Sequence, residues 1–274
     1  MSCPKCIEGS VLPGDPTGSI QPDFQGAYLA SAPANSESTG AKNFSIVLLT
    51  DGFGLPLKNC KIIADKLASN LECDVWVPDY FAGRPPVDLN NLTAPQRADQ
   101  KMTALDWLRM IIKSIPTIPA VFASRPSVVD RRLAVFFQTL KEKKKYEQIG
   151  AVGYCYGGST GIRLASTDFI NAAVICHPGS MKFDIDEIRR MKVPTSWACA
   201  EVDLFFPDSL RLQFEAEFES RRGTDRFVDY EFKVYPATAH GFAARPNTEY
   251  ADIMEAHEAA FQQTVAWFRK ALSA

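Results

Sequence analysis

Three observations predict an α/β fold with a mainly parallel central sheet flanked by helices. A continuous apolar run, Ser45-Ile-Val-Leu-Leu-Thr50, stops at Asp51-Gly52, as a strand buried on both faces would. Strand-like and helix-like stretches then alternate over about 220 residues, the mark of repeated βαβ units. Between one such strand and the next helix lies Gly153-Tyr-Cys-Tyr-Gly-Gly158, a glycine-rich strand-to-helix turn.

The elements follow in order. Residues 1–43, rich in Pro, Gly, Ser and Asp, read as an irregular arm packed on the domain, with one short strand near Gly26-Ala-Tyr-Leu-Ala30. After the 45–50 strand, Asn59 to Asn70 has helical spacing, with Ile62, Ile63, Leu67 and Leu71 on one side. Asp74-Val-Trp-Val-Pro78 is a strand stopped by its proline. Thr93 to Ile115 predicts an amphipathic helix with Met102, Leu105, Leu108, Ile111 and Ile112 facing inward. Ser114-Ile-Pro-Thr-Ile-Pro119 breaks it, because proline cannot continue the hydrogen-bond ladder. The apolar, proline-rich stretch Pro116 to Pro126, with Phe122 in it, is expected to cap a site as a lid.

A helix over Val128 to Lys145 ends in a lysine-rich, solvated turn that suits the helix dipole. Strands follow at Gln148–Gly153, Ile170–Ile175, Thr195–Ala200 and Phe227–Tyr235. Helices alternate with them at Gly157–Ser166, Ile185–Met191, Pro207–Arg222 and Tyr250–Leu272. No repeat or linker divides residues 44–274, so they form one domain behind the 1–43 arm.

Composition narrows the class of function. In 274 residues, 30 Lys and Arg face 32 Asp and Glu, so neither nucleic acid nor an anionic membrane is implied as a partner. The seven cysteines are odd in number and widely spread, against a complete disulfide framework. With no apolar run near 20 residues and no secretory core at the N-terminus, a cytoplasmic protein with reduced thiols is expected. Cys3-Pro-Lys-Cys6 has no second C-x-x-C or paired His, so it reads as an exposed thiol pair and no metal is implied. The expected partner is a small molecule, and the chain a monomer or homodimer.

Gly153-Tyr-Cys155-Tyr-Gly-Gly has the form of a nucleophile elbow with Cys in place of Ser. Its glycines permit a strained turn that presents the sulfur at a helix N-terminus, where thiolate is favoured over thiol. Taken alone, the motif reads equally well as a buried structural Cys before a tight turn. Chain order separates the two readings. An elbow nucleophile is followed by an acid and then a His, on loops after later strands. The Thr195–Ala200 strand leads into Glu201-Val-Asp203-Leu-Phe-Phe-Pro207, and the final strand into Pro236-Ala-Thr-Ala-His240-Gly-Phe242. Of three histidines, His177 precedes the acid and so reads as structural, and His257 lies in the last helix and reads as surface or packing.

These pieces, with the lesser Val-Pro-Asp79-Tyr-Phe, resemble the dienelactone hydrolase family of α/β-hydrolases, which use Cys-Asp-His rather than Ser-Asp-His. The resemblance implies Cys155 as nucleophile, His240 as base and Asp203 as the residue orienting the imidazole. It implies an oxyanion hole from the Gly52 and Tyr156 amides, and no cofactor. Asp51 stands where bacterial members carry a Glu that pairs with the resting thiol; it equally suits the opening of an Asp-Gly turn. Phe53, Phe81, Phe205 and Phe242 suggest an apolar substrate pocket, with Asp51. Arg245 lies one residue beyond the family's substrate-binding arginine, where this chain has Ala244, and Arg97 falls in the region of another. The expected activity is a cofactor-independent hydrolase cleaving a small ester or enol-lactone through a cysteine thioester. Acyl-transfer, isomerase or lyase chemistry on the same triad, or a non-catalytic ligand-binding or redox-sensing role, are the alternatives.

Overall fold

The computed structural model describes residues 11–34, 43–88, 95–180 and 183–272. Cys3 and Cys6 lie outside them. Eight strands form one sheet: β1 Ser19–Gln21, β2 Ala27–Ala30, β3 Phe44–Leu49, β4 Asp74–Val77, β5 Gln148–Tyr154, β6 Ala172–Cys176, β7 Thr195–Val202 and β8 Tyr230–Ala239. Their order is β1-β2-β4-β3-β5-β6-β7-β8, parallel from β4 to β8, with β1 and β2 antiparallel at one edge. The strand expected near residues 26–30 of the arm is β2, and the arm adds a further strand, β1, at the edge of the sheet. Ala27 to Ala30 is buried throughout, and its antiparallel pairing with Val75–Val77 accounts for both the burial and the missing alternation.

Helices cover both faces. Helix α1 (Asn59–Leu71) and helix α8 (Ala251–Ala271) pack on one side, where Ile63, Leu67, Ile253, Phe261 and Phe268 meet Ile46, Val75 and Val152. On the other side lie α4 (Pro126–Lys144), α5 (Tyr156–Leu164), α6 (Ile185–Arg189) and α7 (Asp208–Glu219). There Val129, Leu133, Phe136, Phe137, Ile162, Phe214 and Phe218 meet Val47, Leu49, Trp76 and Trp197. β3 and β5, covered on both faces, are apolar without alternation for this reason.

The segment between β4 and α4 departs from the sequence expectation. Helix α2 begins at Ala104, not Thr93, because Thr103 and Asp106 form a reciprocal capping box: Thr103 Oγ1 accepts the Asp106 amide at 3.2 Å and Asp106 Oδ2 accepts the Thr103 amide at 2.9 Å. A 3₁₀ turn at Ile115–Thr117 leads into α3 (Ile118–Ala123), whose Pro119 sits in the first turn, where proline is tolerated. The presumed inner face is outside: Leu105, Leu108, Ile111 and Ile112 are each more than half exposed. Helical spacing identifies an apolar face without saying what covers it, and α4 already occupies the sheet at this point. Phe122 is 70% exposed, with its ring beneath the Arg125 guanidinium, so this stretch does not lie over the site as a closed lid.

Candidate active site

Four residues stand one position beyond the ends of four adjacent parallel strands: Cys155 after β5, His177 after β6, Asp203 after β7 and His240 after β8. The carboxyl ends of parallel strands are where open α/β sheets gather ligand-binding groups. Each position has its own local cause.

Cys155 occupies the turn between β5 and α5 at φ 51° and ψ −113°, a conformation costly for a residue with a Cβ. The surrounding contacts enforce it. Its amide donates to the Cys176 carbonyl at 3.1 Å, and its carbonyl accepts from the Ser159 and Gly179 amides at 3.2 and 2.9 Å. The flanking glycines are required by space: a Cβ on Gly153 would lie 2.1 Å from the Gly157 oxygen, and one on Gly157 2.2 Å from the Leu49 oxygen. The thiol is thereby held at the amino end of α5.

Asp203 and His240 are brought together by the β7–β8 pairing, which places Val202 opposite Ala239 after a bulge. Glu201 pins that bulge, its amide donating to Thr238 Oγ1 at 3.2 Å and its carboxylate accepting the Ala237 amide at 2.5 Å. The Asp203 carboxylate accepts the Phe205 and Phe206 amides and faces His240 Nδ1 at 2.9 and 3.0 Å. This arrangement leaves His240 Nε2 as the nitrogen available for chemistry. Nε2 is buried, and no aligned hydrogen-bond partner reaches it among the described residues. Burial alone would depress the imidazole; the charges of Cys155 and Asp203 outweigh it and push His240 up to about 10.

Asp51, two residues past β3, is 1% exposed, and both its oxygens are engaged. Oδ1 accepts the Phe53 amide at 3.1 Å, and Oδ2 accepts Arg245 Nε at 2.9 Å. The Gly54 amide also donates to the Asp51 carbonyl, so the aspartate closes the turn that carries the Gly52 amide. Burial raises its carboxyl above the ordinary range, against the pull of Arg245 and the Phe53 amide. The Arg245 guanidinium in turn lies over the Phe53 ring at 4.7 Å. Gly52 lies three residues past β3, and Tyr156 opens α5 beside Cys155, placing both amides beyond the ends of neighbouring strands.

The aromatic residues divide. Phe205 is half-buried and meets the His240 ring edge to face at 4.9 Å. Phe81 packs against Tyr156 at 5.1 Å, and Phe53 lies under Arg245. Phe242 is 2% exposed and belongs to the core layer beneath the site, where it touches His177 and Tyr235. Arg97 bridges to Thr238, and its side chain pairs with Asp252 at 2.8 Å. Cys60, Cys73, Cys176 and Cys199 are buried in the two core layers, and His257 is buried in α8.

Two further residues border Cys155 and His240: Gly179, not singled out in the sequence, and His177, read there as structural. Gly179 is so close that a Cβ there would sit 2.9 Å from Cys155 Sγ and 3.4 Å from His240 Cε1. His177 lies edge to face with His240 at 5.1 Å. Cys176-His-Pro-Gly179 at a strand end was the available signal; only the adjacency of β5 and β6 shows what it abuts.

A doubly covered, largely parallel sheet with a strained strand-to-helix elbow and an Asp-His pair on later strands defines an α/β-hydrolase. The dienelactone hydrolase family model matches residues 27–272, and the chain belongs to that family; it is a hydrolase acting on lactones or esters. It is 28% identical to hydrolase pyvD of Aspergillus violaceofuscus, over 97% of this chain and 96% of that one. Identity is 25% to a carboxymethylenebutenolidase homolog of Mus musculus, over 98% and 96%. Among solved structures, a dienelactone hydrolase of Anabaena variabilis superimposes with a TM-score of 0.59 at 13% identity, covering 94% of this chain and 99% of that one. A dienelactone hydrolase-like promiscuous phosphotriesterase from metagenomic libraries gives 0.61 at 18%, covering 89% and 92%. Both likenesses bear on the fold alone.

Proposed function

We propose that the chain is a cofactor-independent hydrolase that cleaves a small ester or enol-lactone through a thioester on Cys155. The observation that carries this reading is the Asp203–His240 hydrogen bond at 2.9 Å, set beside a cysteine held in a strained elbow at a helix N-terminus. His240 takes the thiol proton as the sulfur engages the substrate. The thiolate adds to the substrate carbonyl, forming the C–S bond. As the carbonyl re-forms, the C–O bond to the leaving group breaks, and the imidazolium supplies the leaving group's proton. Water then attacks the thioester with His240 accepting its proton, and the C–S bond breaks to return the thiol.

The Gly52 and Tyr156 amides would stabilise both oxyanions, each contributing on the order of 3 kcal/mol. Asp51 supports this by closing the turn that aims the Gly52 amide, with Arg245 balancing its buried charge. Its engaged oxygens favour that role over direct pairing with the resting thiol. A thiolate suits good leaving groups such as enolates. Phe53, Phe81 and Phe205, with Arg245 among them, would form a largely apolar binding surface around the reacting carbonyl.

The test compares wild type with Cys155→Ala and Cys155→Ser on a panel of aryl esters and enol-lactones. Alanine is expected to lower kcat/KM at least about 1000-fold, as loss of a nucleophile does. Intact-mass analysis after acid quench should show an acyl adduct on Cys155 in wild type alone. Undiminished turnover by the alanine variant would sink the assignment.

A further inference from the structure

His177 is costly where it stands. Its backbone adopts φ 35°, in the left-handed region that favours glycine. Its side chain is 0% exposed, and neither ring nitrogen finds an aligned hydrogen-bond partner among the described residues. Buried polar groups without partners are uncommon and call for a reason. Burial drives the imidazole well below its ordinary pKa, with the charges of His240 and Arg245 adding to the effect, so the ring is neutral. This neutral ring meets His240 at 5.1 Å and 74°, backed by Phe242 at 5.6 Å and Tyr154 at 6.0 Å. Phe205 closes the opposite contact at 4.9 Å.

Building on the Cys155–His240–Asp203 reading, we propose that His177 is a positioning residue that holds and stabilises the His240 imidazolium through its aromatic ring. A cation over the face of a neutral aromatic ring, within about 6 Å of its centroid, is stabilised, most strongly when both are desolvated. Here His177 is fully buried and the His240 side chain only 12% exposed, and the strained backbone fixes the ring beside the imidazole between the Cys155 and Asp203 strands. What His177 contributes is its ring, and its two nitrogens are the tolerated cost. Other charged groups act on the same pair. Cys155 and Asp203 face His240 directly, Asp51 and Arg245 act from the loops after β3 and β8, and His257 faces His177 from α8.

The test reads the charge of His240 directly. Cys155 is alkylated with anionic iodoacetate and with neutral iodoacetamide across pH. The ratio of the two rates reports the positive charge beside the sulfur and falls as the imidazolium loses its proton, near pH 10 in wild type. His177→Leu is expected to move that fall down by about one pH unit, a tenfold change in proton affinity. His177→Phe, which keeps a ring and removes the nitrogens, should leave it near the wild-type position. If the leucine variant does not fold, His177→Met is the substitute, since methionine fills irregular core space. A fall unmoved by Leu or Met, or moved as far by Phe, overturns the proposal.

His240→Gln separates the two levels of inference. It should abolish the pH-dependent fall and make the His177 substitutions silent. Persistence of the fall in that variant overturns the Cys155–His240 pairing, and the role of His177 with it. If the pairing holds but His177→Leu still alters the ratio in the His240→Gln background, the pairing survives and the His177 proposal alone is overturned.

Discussion

Gly179 shows how little space surrounds Cys155 and His240. A methyl group there would meet Cys155 Sγ at 2.9 Å and crowd His240 Cε1, so the sulfur must move off its line to the imidazole. Gly179→Ala is expected to lower kcat about 10- to 100-fold, because displacements of this size at a reacting atom are that expensive. Far-UV circular dichroism should be unchanged, since the contact is with side-chain ends rather than the sheet. The histidines make a second residue-level prediction. His177 and His257 are both depressed by burial, so the unfolded chain binds protons that the native state refuses. Stability is therefore expected to fall as pH drops below about 6.5, by up to about 1.4 kcal/mol per pH unit for each histidine. His240 tilts the other way: its raised value adds stability fully present below about pH 6.5 and lost as pH rises through 10. Denaturant titrations across pH check both signs, and His177→Phe should flatten the acid side.

At the scale of elements, α2 and α3 are the part of the chain with least support from the sheet. The excursion leaves the domain where the Ala98 amide donates to the Ala237 carbonyl. It returns where the Ser124 carbonyl accepts the Tyr156 hydroxyl, beside the elbow. Between these points Leu105, Leu108, Ile111, Ile112, Ile115, Ile118, Val121 and Phe122 are each more than half exposed. Replacing Leu108 and Ile112 together by Glu is expected to change unfolding free energy by less than about 0.5 kcal/mol per site, as at exposed positions generally. The same change at Leu133 and Phe137 of α4, both buried, should prevent folding. Chemical denaturation of the two double variants makes the comparison. Sequence pattern identified both segments as helical and gave the first an inward apolar face, yet it could not rank them for the one available sheet surface. That ranking depends on the α4 side chains fitting against Val47, Leu49 and Trp76.

For the molecule as a whole, the near balance of 30 basic and 32 acidic residues gives little long-range field to steer a ligand. Hydrolysis of an uncharged aryl ester is expected to change less than about twofold in kcat/KM between low and moderate salt, where screening would abolish any steering. Steady-state rates across a salt series check this. The fold class, the order Cys155, Asp203, His240 and most strand positions were legible because each rests on local pattern or on chain order. An apolar run bounded by turn residues is a strand wherever it ends up, and an elbow needs its glycines within five residues. By itself the sequence determined a doubly covered α/β domain and the chemical types at three strand ends. Tertiary structure alone decided which side chains touch: that Arg245 engages Asp51, that Gly179 borders the sulfur, and that His177 supports His240. Those contacts join residues as many as 194 positions apart, and only the lateral pairing of strands places them within reach of one another.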